Sequence, residues 1–220
     1  MLSLINISVP GRPSAAEGLP QAMRETVISN LQAVFSEGYV HGLFAPDAAP
    51  LKRLLECISG QRTAYAGNIL YNDGPLAGQA AFIDCRHITA AAISGKALLP
   101  EPAGALSSAT QFPEPSGYEL PGSRLTPATD FSKDIILLHN LRSSMLSNAC
   151  AGLPAFLQQL TTVERKIVII TSHDYHALRD TCDYIYLFDK KRFPIVVEKA
   201  DFAQFDSYFE NVFRLYRPHN

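Results

Sequence analysis

Two short runs constrain this chain more than anything else in it: IILL at Ile135–Leu138 and IVII at Ile167–Ile170. Each is four consecutive apolar residues with no polar residue on either parity. A strand with one wet face alternates apolar and polar residues, whereas a strand without alternation has both faces covered. A helical pattern over Ala151–Leu160 lies between them. Strand, helix and strand in that order predict a parallel pair at the centre of an α/β sheet. Such a sheet needs a covering layer on each side.

The rest of the chain supplies candidates for those layers. LSLINISV (Leu2–Val9) reads as an opening strand closed by Pro10-Gly11, and Glu25–Phe35 reads as a second. VHGLF (Val40–Phe44) is short and apolar throughout. Apolar residues at 51, 54, 55 and 58 follow helical spacing, and Ser59-Gly60 ends that helix. AGNILYNDGPL (Ala66–Leu76) predicts a hairpin through an Asp-Gly turn, with Gln79–Asp84 as the next strand. DYHALRDTC reads as a short helix, and YIYLF (Tyr184–Phe188) and PIVVE (Pro194–Glu198) as two more strands. Aromatics at 202, 205, 208, 209, 213 and 216 mark a closing amphipathic helix. Six exceed what one helix face usually buries, so part of it is a candidate partner surface. Between Pro100 and Pro121 stand five prolines among Ser, Ala and Gly, a composition that predicts a loop, with one short helix within 90–99.

Composition excludes several function classes. Net charge is −2 and no long run of one charge occurs, so there is no electrostatic footprint for nucleic acid or anionic membrane. The four cysteines (57, 85, 150 and 182) form no C-x-x-C pair, and no His cluster has metal-ligand spacing. Free buried thiols in a reducing compartment are the expectation, with no metal site. MLSLINISV lacks the basic start of a signal peptide, and no apolar run approaches the roughly 18 residues of a membrane span. A cytoplasmic protein is expected.

The stretch GYVHGLFAPDAAPLKRLL (Gly38–Leu55) has the layout of a phosphate-binding loop: strand, turn of small residues, helix. Such a loop reads G-x-x-x-x-G-K-[ST], with a lysine on the terminal phosphates and a hydroxyl on Mg2+. In that register the four positions are Ala45, Pro50, Leu51 and Lys52.

Taken with the rest of the order, the chain resembles the nucleotide-binding (ATPase) domain of ABC transporters over nearly its whole length. LINISV, the phosphate-loop segment, the hairpin AGNILYNDGPLAGQAAFID, KDIILLHN and VIITSHDYHALRDTCDYIYLFDKKR follow that family's sequence of pieces. The specificity lies in five weak matches in the right order. The resemblance implies a P-loop NTPase-type, mostly parallel sheet flanked by helices, with an N-terminal antiparallel β portion and a reduced helical subdomain. It implies a single domain over residues 1–220, in which 1–84 hold the antiparallel β portion with the degenerate phosphate loop and its helix, 85–130 a reduced, Pro-rich subdomain or loop, and 131–220 the core sheet with the switch-histidine region and the C-terminal helix.

The departures carry the functional expectation. Leu51 stands for the lysine and Pro50 for a glycine, removing a backbone donor. His139 and Asn140 stand where the family places its magnesium-binding aspartate and its glutamate base. The magnesium-contacting glutamine falls near Cys85, the signature loop is at best LPGSR (Leu120–Arg124), and the dimer-facing turn aligns with Ser143–Leu146. Phosphoryl transfer depends on positioning and charge neutralisation, so losing lysine, metal ligand and base together removes most of its catalysis.

Single residues keep two readings each. Lys52 and Arg53 open a helix and could touch an anion there, or lie as solvated side chains on its surface. His173 falls on the switch histidine, either functional or retained because the turn packs around it. His139 shows no partner in the sequence. The expectation is a catalytically inactive binding or regulatory subunit with no cofactor. It pairs with itself or an ABC-type homologue, and reaches a membrane complex only through a partner. The alternative is a cassette that binds ATP and Mg2+ in a composite site with a partner chain.

Overall fold

A computed structural model describes residues 1–10, 26–45, 48–63, 65–76, 78–85, 131–146, 152–188 and 194–208. The strands are β1 (Leu2–Pro10), β2 (Thr26–Phe35), β3 (Val40–Phe44), β4 (Ala66–Tyr71), β5 (Gly74–Pro75), β6 (Ala80–Asp84), β7 (Ile135–His139), β8 (Ile167–Ser172), β9 (Tyr184–Leu187) and β10 (Ile195–Glu198). The helices are α1 (Ala48–Ile58), α2 (Leu153–Thr162) and α3 (Tyr175–Thr181). A 3-10 turn, Lys199–Asp201, leads into a further helix whose described part is 202–208. The predicted loops at 13–20 and 100–121, the short helix within 90–99, the 120–124 segment and the end of the closing helix lie outside the described residues.

Both apolar runs form strands at the sheet centre. Every residue of β3, β7 and β8 is buried. The six-stranded sheet runs β10-β9-β3-β8-β7-β6, parallel except for β10. A second, antiparallel sheet runs β2-β1-β4-β5. β3 and β6, which come early in the chain, pair into the large sheet.

Each face of the large sheet has its own layer. On one side α1 inserts Leu51, Leu54, Leu55 and Ile58 between the two sheets, where they meet Leu43, Leu137, Ile169 and the inner face of β1 and β2. On the other side α2 and α3 bring Phe156, Leu157, Leu160 and Leu178 against Val40, Ile136 and Ile170, joined by Phe202. The alternation of β3 shows the division: Val40 and Phe44 face one layer, Leu43 the other.

Two local details differ from the sequence expectations. α1 begins at Ala48, three residues ahead of the apolar pattern, and takes Pro50 into its first turn. A helix tolerates proline there because the first-turn N–H groups have no partner within the helix. The hairpin turns on Asn72-Asp73, both at positive φ (48° and 61°), with Gly74 already paired to Tyr71. Two positive φ angles make this a type I′ turn, and Asn and Asp both tolerate that region.

Lys166 fixes the approach to β7. Its ammonium donates to the carbonyls of Phe131 (2.8 Å), Ser132 (3.1 Å) and Lys133 (3.0 Å) and pairs with Glu164 at 3.2 Å. Burying this charge is tolerable because its donors are matched.

Gly67 is the tightest point of the antiparallel sheet. Its φ is +96°, and a Cβ there would sit 2.5 Å from the Asn6 carbonyl oxygen and 2.6 Å from that of Ile5. The obstacle is backbone, which cannot rotate aside. Gly67→Ala is expected to destabilise the fold by about 2–4 kcal/mol, from strain plus displacement of β1. Urea unfolding of the two proteins checks this; a loss under about 1 kcal/mol would contradict the close approach.

Candidate functional site

Parallel strands bury their apolar length and leave polar groups at their C-terminal ends, where α/β sheets place binding sites. Here the strand register lines up Asp84, His139, Thr171, Leu43 and Tyr186 across β6, β7, β8, β3 and β9. Partners in parallel register share a face, and Leu43 and Tyr186 mark it as the face toward α1. Asp84, His139 and Thr171 therefore form a polar row beside the loop that joins β3 to α1.

His139 is at its centre and is 7% exposed. Its Nδ1 lies 2.8 Å from the Thr171 hydroxyl oxygen, and its ring stacks on Phe82 at a centroid distance of 6.1 Å. The sequence shows no partner for His139 because Thr171 lies 32 residues away. Asn140 follows at φ 66° and donates its N–H to the Thr171 carbonyl at 2.9 Å. Asparagine is one of the few residues that enters this left-handed region readily. Thr171 thus holds both residues, its hydroxyl on the imidazole and its carbonyl on the next amide.

On β3 and α1 the four phosphate-loop positions behave differently from one another. Ala45 is buried beyond the end of β3. Pro50 is half-buried in the first helical turn. Leu51 is wholly buried in the core under the helix. Lys52 extends along the helix surface to Glu56 at 3.9 Å, and Glu56 also holds Arg62 at 3.2 Å. Arg53 sits half-buried on the same helix.

His173 is exposed just beyond the end of β8, one residue past Ser172, which pairs with Phe44. Ala45 and His173 are thus the next residues on adjacent strands. Ser172 is fully engaged: its hydroxyl donates to the Leu141 carbonyl at 2.6 Å and accepts the Asp174 N–H at 2.8 Å. Asp174 caps α3 through the Ala177 N–H (3.3 Å) and accepts the Ser143 N–H (2.8 Å). This ties the 143–146 helical turn to the start of α3. Burial pushes the Asp174 carboxyl up, but the hydrogen bonds from Ser143 and Ala177 outweigh it, so it lies below the usual carboxylate value.

No family model and no curated protein matches the sequence. Solved structures do match its fold. cbiO1 from Clostridium perfringens, part of the ABC transporter complex cbiONQ, aligns over 97% of this chain and 94% of its own, with TM-score 0.56 and 10% identity. The dimeric structure of MJ0796, a bacterial ABC transporter cassette, aligns over 90% and 99%, with TM-score 0.59 and 15% identity.

The chain has the fold of an ABC transporter ATP-binding cassette.

A third structure, the MJ0796 dimer in a post-hydrolysis state with ADP and Pi, aligns over the same shares at TM-score 0.56 and 13% identity. Identities of this size establish the cassette fold and leave activity to be argued from this chain's own residues. Among the described residues no helix is long and apolar enough to cross a membrane, and no three His, Cys, Asp or Glu side chains gather as metal ligands.

Asp174 supplies a test of how the β8–α3 junction is held. A carboxyl held below its unfolded value adds stability above about pH 4, and that contribution is lost as pH falls through the folded value. Asp174→Ala is expected to cost about 1–2 kcal/mol at pH 7, with the gap to the native protein closing below pH 4. Urea denaturation at pH 7 and pH 3.5 reads both; a gap unchanged by pH would contradict the assignment.

Proposed function

We propose that this chain is an ABC-cassette-like protein that does not hydrolyse ATP and serves as a binding or regulatory subunit. Its strand-end face pairs with a second copy or an ABC-type homologue in the cytoplasm, and it meets a membrane complex only through that partner. One observation carries this reading. The strand-end position where a metal-binding carboxylate is expected holds a buried imidazole, hydrogen-bonded to Thr171 at 2.8 Å. Magnesium takes hard oxygen ligands in near-octahedral geometry. His139 and Asn140 do not fit that requirement, so no catalytic step through Mg2+ is drawn here.

The helix side supports the same view. A phosphate loop needs a cation that reaches the terminal phosphates. At that position Leu51 points into the core, and the neighbouring Lys52 is drawn toward Glu56. The second reading is a composite site in which a partner chain supplies the missing groups. What favours it is that two of the similar solved structures are dimers, one holding ADP and Pi.

Calorimetric titration with ATP, with and without Mg2+, separates the readings. The expected result is no Mg2+-dependent heat, with any affinity weaker than about 100 μM, or about 5.5 kcal/mol. Weak binding that ignores Mg2+ and disappears in Lys52→Ala would trace to anion contact at the start of α1. Tight, Mg2+-dependent binding would overturn the inactive reading.

A further inference from the structure

His41 belongs to none of the groups above. It lies at the start of β3, away from the C-terminal strand ends, is 2% exposed, and points toward the layer shared by the two sheets. Its Nε2 sits 3.0 Å from the Ser36 carbonyl oxygen. A carbonyl can only accept, so Nε2 carries the proton of the neutral ring. Nδ1 then presents a lone pair, and it finds no hydrogen-bond partner among the described residues.

The ring is enclosed by aromatic side chains from three segments. Tyr184 of β9 stacks on it at 5.6 Å and 17° between planes. Phe35 of β2 meets it edge-on at 5.2 Å, Tyr39 lies at 6.4 Å, and Tyr186 of β9 at 6.0 Å. These contacts join the end of β2, in the antiparallel sheet, to β3 and β9 in the large sheet. The Tyr186 hydroxyl adds a direct tie, donating to the Val34 carbonyl at 2.8 Å. The charged groups around the ring are few. Asp183, at the foot of β9, holds the Val40 N–H at 2.9 Å and pairs with Lys199 at 3.8 Å. Among the described residues the other titratable groups on the packed elements are the three tyrosines, Glu198 opposite Tyr184, Glu37 on the 36–39 turn, paired with the Met1 ammonium at 2.7 Å, and Arg165, whose guanidinium lies against Gly38.

Protonating His41 in place would create an N–H with no acceptor inside a mostly apolar box. A buried donor without a partner is costly, and a buried charge more so. Burial already holds the ring below the ordinary histidine value, while the Ser36 carbonyl and Asp183 act weakly the other way. The proton is accommodated only if the ring reaches water. The structure offers one local route, displacement of the 36–39 turn with release of Phe35 from Tyr186.

We propose that His41 is an acid-sensitive latch on the seam between the two sheets, so that its protonation frees the end of β2 from β9 while the β7–β8 pair stays closed. Phe35 and Tyr186, 5.0 Å apart in the closed seam, separate in the open form. The opening equilibrium then gains one proton and shifts about tenfold per pH unit below the ordinary histidine value of about 6.5.

Amide hydrogen exchange on the native protein, compared with His41→Phe and His41→Gln, tests this. Protection is taken relative to the intrinsic exchange rate at each pH, which removes the intrinsic pH dependence of exchange. Between pH 6.5 and 5 the protection of 31–35 is expected to fall, approaching about tenfold per unit, in the native protein and to stay flat in both variants, while β7 and β8 stay far better protected than 31–35 at every pH. Phe keeps the ring without a titratable nitrogen, and Gln keeps a donor for Ser36. Native protection in 31–35 that does not change with pH, an equal fall in the variants, or protection in 31–35 no lower than in β7 and β8 would each overturn the latch. If neither variant folds, the native ring resonances decide. Titration concurrent with the loss of protection in 31–35 supports the proposal, and a ring titrating near 6.5 with protection unchanged overturns it.

Discussion

Burial of three adjacent parallel strands on both faces is the constraint from which the rest of the structure follows. β3, β8 and β7 carry no exposed residue, so each side of the sheet must be covered over its full width. α1 alone is too narrow for one face, and the antiparallel β1–β2–β4 sheet completes that layer through the apolar contacts of Leu51, Leu54 and Leu55. α2 and α3 complete the other. Hydrophobic burial of about 25 cal/mol per Å2 makes this the dominant favourable term, and it has no direction of its own. Direction comes from the fastenings: Lys166 on three carbonyls, Gly67 against β1, Tyr186 on Val34.

The same constraint decides where chemistry can occur. Interior positions of these strands are taken by core, so polar side chains collect where the strands end. There the His139 imidazole bonds to the Thr171 hydroxyl, and the Asn140 backbone N–H donates to the Thr171 carbonyl. A site whose polar groups satisfy each other internally is stable without a ligand, whereas a site built for a phosphate leaves donors turned outward. The contrast is sharpest between Ser172, both of whose hydrogen-bond roles are used inside the protein, and His173, exposed one residue later.

Much of the sheet was legible in the sequence because its signals are local. Four apolar residues without alternation identify β7 and β8 in isolation, and i, i+3, i+4, i+7 spacing identifies α1. Elsewhere local rules competed with tertiary context. Asp73-Gly74 reads as the turn dipeptide, yet pairing of Gly74 with Tyr71 moves the turn back to Asn72-Asp73. Pro50 reads as a loop residue, although the first turn of a helix accepts it. The site was legible only as positions. That Thr171 binds His139 depends on β7 lying beside β8, and a hydrogen bond between segments 32 residues apart leaves no pattern in a single sequence. The unpartnered nitrogen of His41 is hidden for the same reason: its surroundings come from β2 and β9.

The proposed inactivity rests on the His139–Thr171 hydrogen bond that closes the β7 end. The most direct measurement is nitrogen-resolved NMR of the His139 ring while Mg2+ and ATP are added to millimolar concentration. His139 ring resonances unmoved throughout, with the ring held on Thr171, are the predicted result. A saturable shift of the His139 resonances that requires Mg2+ and ATP together would contradict it.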